Sequence, residues 1–183
     1  DALISLAGPA NKQGRIIADN ICGGDSRYAG SLGSSVIKVF DMTAASTGLS
    51  ESNAKKAGLD ADTVILSPMS HAGYYPGGRV MTMKVVFEKE TFRLLGAQIV
   101  GYEGVDKRID VLATAICAGW QAFRLKDLDL AYAPPYSSAK DPVNMAGFLI
   151  DNICRGVLKQ WHLKELDSLP QDGSVTLLDV RTA

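Results

Sequence analysis

The sequence predicts an α+β fold, an antiparallel sheet with helices packed on it, and three observations point there. Val80 to Glu88 and Thr91 to Gly101 are strand-like runs on either side of Lys89-Glu90, the pattern of an antiparallel hairpin. Val105 to Trp120, and the segment opened by Asp141-Pro142, carry apolar residues at helical spacing. Strands and helices are grouped instead of alternating one for one, which argues against repeated βαβ units.

Each element has its own signal. Pro9 to Cys22 reads as a helix: Pro9 suits the first turn, Ile16, Ile17 and Ile21 share a face, and Gly23-Gly24 end it. Gly8 leaves backbone amides at the helix start unobstructed, either to receive a polar or anionic ligand atom or simply to make a tight packing turn. Asp25 to Ser34 is rich in Gly and Ser and reads as a linker or surface loop. Ser35 to Asp41, with Val36, Val39 and Phe40, is a strand, and Ser50 caps a short helix from Glu51 to Ala57 closed by Gly58. Thr63 to Leu66 is a further strand. In the helix from Val105 the apolar stripe is Ile109, Leu112, Ala113, Ile116 and Cys117. Asp141 supplies a cap and Pro142 an N1 proline for a helix reaching about Arg155. After Gly156 the character changes, with Pro170 and Asp172-Gly173 as turn signals. The closing residues cluster Val175, Leu177, Leu178 and Val180 as a buried strand does. That strand either ends this domain or begins a unit whose partners would come next, and the second reading is preferred.

Composition narrows the function. Hydrophobic residues make up 46% and charged residues 21%, enough for a core without disulfides or metals. With 19 basic and 20 acidic side chains the net charge is −1, so no electrostatic argument favours nucleic acid or an anionic membrane as a partner. No apolar run approaches the ~20 residues that span a bilayer, and a cytoplasmic location is expected. Cys22, Cys117 and Cys154 show no paired spacing, and His71 and His162 lie far apart, so no metal site is expected. Cys117 and Cys154, on apolar helix faces, are expected to be buried as small hydrophobes. No nucleophile–base order or glycine-rich phosphate loop is present, so this chain alone is not expected to turn over a substrate.

Two segments are dense in chemistry-bearing residues: Ser70 to Gly78 (SHAGYYPGG) and Tyr132 to Asn144 (YAPPYSSAKDPVN). Both read as loops, and together they hold Tyr74, Tyr75, Tyr132 and Tyr136. A phenol stays protonated at neutral pH and donates a hydrogen bond or proton to a thiolate or oxyanion. The same rings also suit a subunit interface, where tyrosine is common. Arg79 and Lys140 flank the loops as candidate phosphate contacts or as plain surface cations.

These motifs carry a resemblance. LAGPANKQGRIIADNI resembles the last helix of the FAD domain in flavoprotein pyridine nucleotide-disulfide oxidoreductases, and SVIKVFDMTAASTGLSE the opening of their C-terminal dimerisation domain. HAGYYPGG and AYAPPYSSAKDPVN are similar to the branch containing coenzyme A disulfide reductase and related NADH oxidases. VTLLDVRTA resembles the first strand of a rhodanese domain, which some members carry as a fusion. The resemblance implies three parts: residues 1–33 as the tail of an FAD-binding domain, 34–156 as the dimerisation domain, and 157–183 as the start of a truncated rhodanese-like domain. It implies a longer homodimeric enzyme that uses FAD and NAD(P)H, with neither expected to be bound by this piece alone. Its substrate would be coenzyme A disulfide, a persulfide or polysulfide, with oxygen as the alternative acceptor; a purely structural interaction domain is the reading from a different class. Tyr74 and Tyr132, and less directly Tyr136, would approach the redox cysteine of the partner subunit. Backbone at Leu6, Ala7, Gly8 and Pro9 would face the flavin's polar edge. The redox cysteine itself would lie upstream, and the His-Glu pair of the glutathione reductase branch is missing.

Overall fold

The computed structural model describes residues 4–179. Five strands, β1 (Ser35–Val39), β2 (Met42–Gly48), β3 (Ala61–Leu66), β4 (Thr82–Glu88) and β5 (Leu94–Gly101), form one sheet. Their order is β1-β2-β5-β4-β3 and every neighbouring pair is antiparallel. Four helices accompany them: α1 (Ala7–Ile21), α2 (Glu51–Lys56), α3 (Val105–Cys117) and α4 (Pro142–Cys154). The α+β expectation holds.

Side-chain alternation sorts the sheet into two faces. Met83, Val85 and Phe87 of β4, with Ala97 and Ile99 of β5, meet Val105, Ile109 and Leu112 of α3 and Val143, Ala146 and Ile150 of α4. Val86 and Leu95 point the other way, onto Ala54 of α2. Between β4 and β5, Val86 pairs with Gly96 but Phe87 with Leu94, so Leu95 is the extra residue of a bulge and can serve the second face. Ser50 caps α2 by accepting from the Asn53 amide.

Helix α4 packs tightly on a 3-10 helix, Ala122–Asp127, because Gly147 faces it. A β-carbon at position 147 would collide with the backbone of Leu125 and Lys126. Gly147→Ala is therefore expected to destabilise the fold by roughly 1–3 kcal/mol, read as a lower denaturation midpoint at unchanged slope.

Several expectations need correction. Strand β2 was not foreseen: Ser35–Val39 stops two residues early, Phe40 takes a left-handed φ of 52°, and the chain returns at once as MTAASTG. Cys117 and Cys154 are exposed. Each is the last residue of its helix. On α3 the buried stripe is Val105, Arg108, Ile109, Leu112 and Ala115, turned away from Cys117. Val175, Leu177 and Leu178 are exposed and lie in no strand. Val180 lies outside the described residues. The stretch before them does touch the domain: Gln160 donates to Asp62 and to the Thr63 carbonyl, and His162 Nε2 sits 2.8 Å from Asp62. No residue of α1 is buried, and Ile17 and Ile21 on its apolar face are exposed.

Candidate active site

The loop between β3 and β4 begins as a ladder. Met69 bridges Val80, the Ser70 amide donates to Arg79, and the Arg79 amide donates to Ser70 Oγ. This stalk leads into a loop whose residues 73–77 are exposed, with Tyr74 77% exposed. Beneath it His71 is buried and hydrogen-bonded at the Ala72 carbonyl, and its ring meets Tyr75 edge to face at 5.6 Å. Tyr75 is thereby braced against His71 while its more exposed neighbour Tyr74 reaches outward.

The second loop leads into α4. Tyr136 and Ser137 amides both donate to the Ala133 carbonyl, folding 133–137 into a turn. Asp141 ends the loop as the α4 cap: its carboxylate accepts from the Val143 amide, and Asn144 accepts from the Asp141 amide in return. The Asn144 side chain also donates to the Leu125 and Leu128 carbonyls, which pins this helix start to the 3-10 helix.

The two loops meet at their tips. The hydroxyls of Tyr74 and Tyr132 lie 2.8 Å apart, a hydrogen bond between residues 58 positions apart in the chain. That bond is the main reason the Tyr132 phenol is held above the ordinary tyrosine value, with desolvation and the neighbouring Tyr74 charge adding to it. The Tyr132 phenol is accordingly neutral at physiological pH. The pairing has a chemical consequence. One phenol spends its proton on the other, and the acceptor keeps its own O–H for a third partner. Donation in series polarises that remaining O–H and strengthens it as a donor. The arrangement is thus suited to stabilising an anion that arrives at, or forms at, the tips.

Their bases meet as well. The Ala72 amide donates to the Ser137 carbonyl at 2.9 Å. Behind this contact Arg108, buried on α3, donates to the Ser70 carbonyl at 2.9 Å and to Asp141 at 2.9 Å. Ser137 Oγ donates to the same carboxylate at 2.6 Å. Burial works against ionisation of Asp141, but the hydrogen bonds from Arg108, Ser137 and the Val143 amide outweigh it and hold the carboxyl below its usual range.

Of the expected site residues, Tyr74 and Tyr132 are brought together, whereas Tyr136 joins through its backbone carbonyl, 3.4 Å from Arg108. Arg79 lies over the Tyr102 ring at 5.1 Å and Lys140 is exposed. Arg108 went unnoticed in the sequence, although its position three residues after Val105 and four before Leu112 places a cation on the buried stripe. At the other end of the chain, Leu6 precedes α1 without a side-chain cap, and Gly8 has open space where a β-carbon would be. Among the described residues no cluster of His, Cys, Asp or Glu could hold a metal ion. No described helix is long and apolar enough to cross a membrane.

Comparison with known proteins bears on the family and the fold. Residues 34–142 match the pyridine nucleotide-disulphide oxidoreductase dimerisation domain family. A coenzyme A disulfide reductase of Staphylococcus epidermidis is 40% identical over 148 residues, which is 80% of this chain and 33% of that protein. The chain thus spans about a third of the length of the curated relatives it matches. Among solved structures, reduced Bacillus anthracis CoADR-RHD superposes with a TM-score of 0.89 at 48% identity, covering 94% of this chain and 31% of that one. A NAD-dependent persulfide reductase from A. fulgidus gives a TM-score of 0.78 at 49% identity, covering 82% and 28% respectively. An antiparallel sheet of this order, a family match across most of the described domain and a relative 40% identical over 80% of the chain lead to one assignment: the chain belongs to the pyridine nucleotide-disulphide oxidoreductases and carries their dimerisation domain.

Proposed function

We propose that this chain is the dimerisation and active-site-completing part of an FAD-dependent NAD(P)H:disulfide oxidoreductase acting on coenzyme A disulfide, a persulfide or a polysulfide. The observation that carries the reading is the 2.8 Å hydrogen bond between Tyr74 and Tyr132. When a thiolate attacks an S–S bond, a new S–S bond forms and the second sulfur leaves with the electron pair as a thiolate. A polarised phenol O–H beside that sulfur stabilises the charge as it develops and supplies the proton that completes a thiol. Tyr132, with Tyr74 behind or beside it, has that role; Tyr136 shapes the loop.

The attacking thiolate and the bound cofactors belong to the longer protein. FAD, when bound, would relay reducing equivalents from NAD(P)H to sulfur. Leu6 to Pro9 fit its polar edge: the amides of Ala7 and Gly8 open α1 without a competing cap, and Gly8 leaves room for close approach. Residues 1–33 then close the FAD domain, 34–156 dimerise, and 157–183 begin a rhodanese-like unit. A homodimer places the tyrosine tips of one subunit at the sulfur of its mate, in a cytoplasmic enzyme without membrane or nucleic-acid partners. The apolar residues Val36, Ile37, Val39 and Phe40, exposed on β1 and its turn, are suited to contact the rest of such an assembly.

The test is acceptor preference in the full-length protein. NAD(P)H oxidation is expected to be faster, per active site and per molar acceptor, with coenzyme A disulfide or a persulfide than with oxygen. Oxygen as the better acceptor would favour the oxidase alternative, and a full-length protein that binds no flavin would leave only a structural domain.

A further inference from the structure

The two tyrosines sit on loops from separate parts of the sequence, one between β3 and β4, the other before α4. Each phenol is well exposed, so packing alone does little to hold the tips in register. What holds the loops lies beneath. The Arg108 side chain is 1% exposed and its donors point in three directions. Nη2 reaches the Ser70 carbonyl of the first loop and the Tyr136 carbonyl, Ser137 hydroxyl and Asp141 carboxylate of the second. Nη1 reaches the Gly104 carbonyl at 3.0 Å, and Nε lies 3.2 Å from Asp141. Gly104, at a left-handed φ of 66°, starts α3, and a β-carbon there would overlap the guanidinium.

We infer that Arg108 is a positioning residue for the Tyr74–Tyr132 pair, its buried guanidinium tying both tyrosine loops to α3 and to each other. The inference rests on the sulfur-directed role given to the pair above. A planar fork of five N–H donors can serve two loops at once, whereas a lysine ammonium is a compact point charge with three. Burying an ion pair is weak evidence of stabilisation, so its use here is better sought in geometry. A displacement of the tips by about 1 Å is enough to cost on the order of 10²-fold in rate.

The decisive variant is Arg108→Lys in the full-length enzyme, which keeps the charge opposite Asp141 and loses the fork. Disulfide turnover is expected to fall about tenfold or more in kcat, while reduction of the flavin by NAD(P)H, which does not use the phenols, stays within about twofold of wild type. In a Tyr132→Phe background the same change is expected to cost less than about twofold, because its effect runs through the pair. Equal losses in both half-reactions, a full multiplicative loss on Tyr132→Phe, or unchanged turnover would each overturn the inference. If Arg108→Lys does not yield folded, flavin-loaded protein, Ser137→Ala takes its place. It is expected to lower disulfide turnover about threefold with flavin reduction intact, and unchanged turnover again overturns the idea. Tyr132→Phe alone separates the two levels. If it retains full disulfide turnover, the phenol role falls and the Arg108 inference with it. If it loses turnover and Arg108→Lys does not, the Arg108 inference alone falls.

Discussion

Tyr132→Phe in the full-length protein is expected to lower disulfide-dependent turnover by about 100-fold while leaving NAD(P)H-driven flavin reduction unchanged. The ring stays and only the hydroxyl goes, so the loss reads the O–H and not the packing. Tyr74→Phe should cost less, about tenfold, because Tyr132 keeps its own O–H and loses only the polarising neighbour. The two variants are also expected to differ in their alkaline limb. The hydrogen bond with Tyr74 raises the Tyr132 phenol, so removing the Tyr74 hydroxyl lets it fall back toward the ordinary value of 10.0. The high-pH loss of activity then begins at lower pH in Tyr74→Phe than in wild type. A mixed dimer tests the reach across the two-fold axis: one subunit lacking both phenols, the other lacking the redox cysteine, leaves one intact composite site. About half of wild-type activity is expected from that site if the tips serve the opposite subunit.

The second large effect concerns stability. Asp141→Ala is expected to destabilise the domain by about 3–5 kcal/mol, measured by chemical denaturation. It leaves the Arg108 cation buried without its counter-charge and removes the cap that accepts from the Val143 amide. Asp141→Asn keeps a capping oxygen, so it should fall between Ala and wild type. Acid separates them further. Burial opposes ionisation of this carboxyl, but Arg108, Ser137 and the Val143 amide win and lower it beneath the ordinary 3.8, with Lys107 4.0 Å away as a second cation. A depressed carboxyl contributes stability that is complete above the unfolded value and lost as pH falls through the folded one. Wild type is therefore expected to lose its advantage over Asp141→Asn as the pH drops below 3.8, with little change in the difference above it.

Much of this was legible in the sequence where a local rule and the tertiary context agree. The β4–β5 hairpin, the Ser50 cap and the Asp141-Pro142 start of α4 all follow from side chains that act on their own backbone. The tyrosine pair was legible only as two unusual loops, since nothing local says that Tyr74 meets Tyr132. Strand β2 escaped because MTAASTG has one large apolar residue, Met42 at its first position, too few to mark a face; it is a strand because β1 and β5 flank it and take up its backbone donors and acceptors. Arg108 escaped because a charged residue reads as surface, and only its partners on two distant loops make its burial tolerable. Cys117 and Cys154 misled in the opposite sense: an apolar residue at a helix end is turned by the last step of rotation away from the stripe it seems to extend.

Three of the groups that the guanidinium grips, at Ser70, Gly104 and Tyr136, are main-chain carbonyls, which every amino acid supplies. At those three positions the anchor is blind to the side chain, while Ser137 and Asp141 are held by theirs. The outward letters of both segments other than Tyr74 and Tyr132 are thus free to be rewritten, by drift or by design, to suit a bulkier or more charged thiol carrier. The hinge between them would feel little of it. Tuning for a new acceptor and keeping the scaffold intact become separate problems, solved on different atoms.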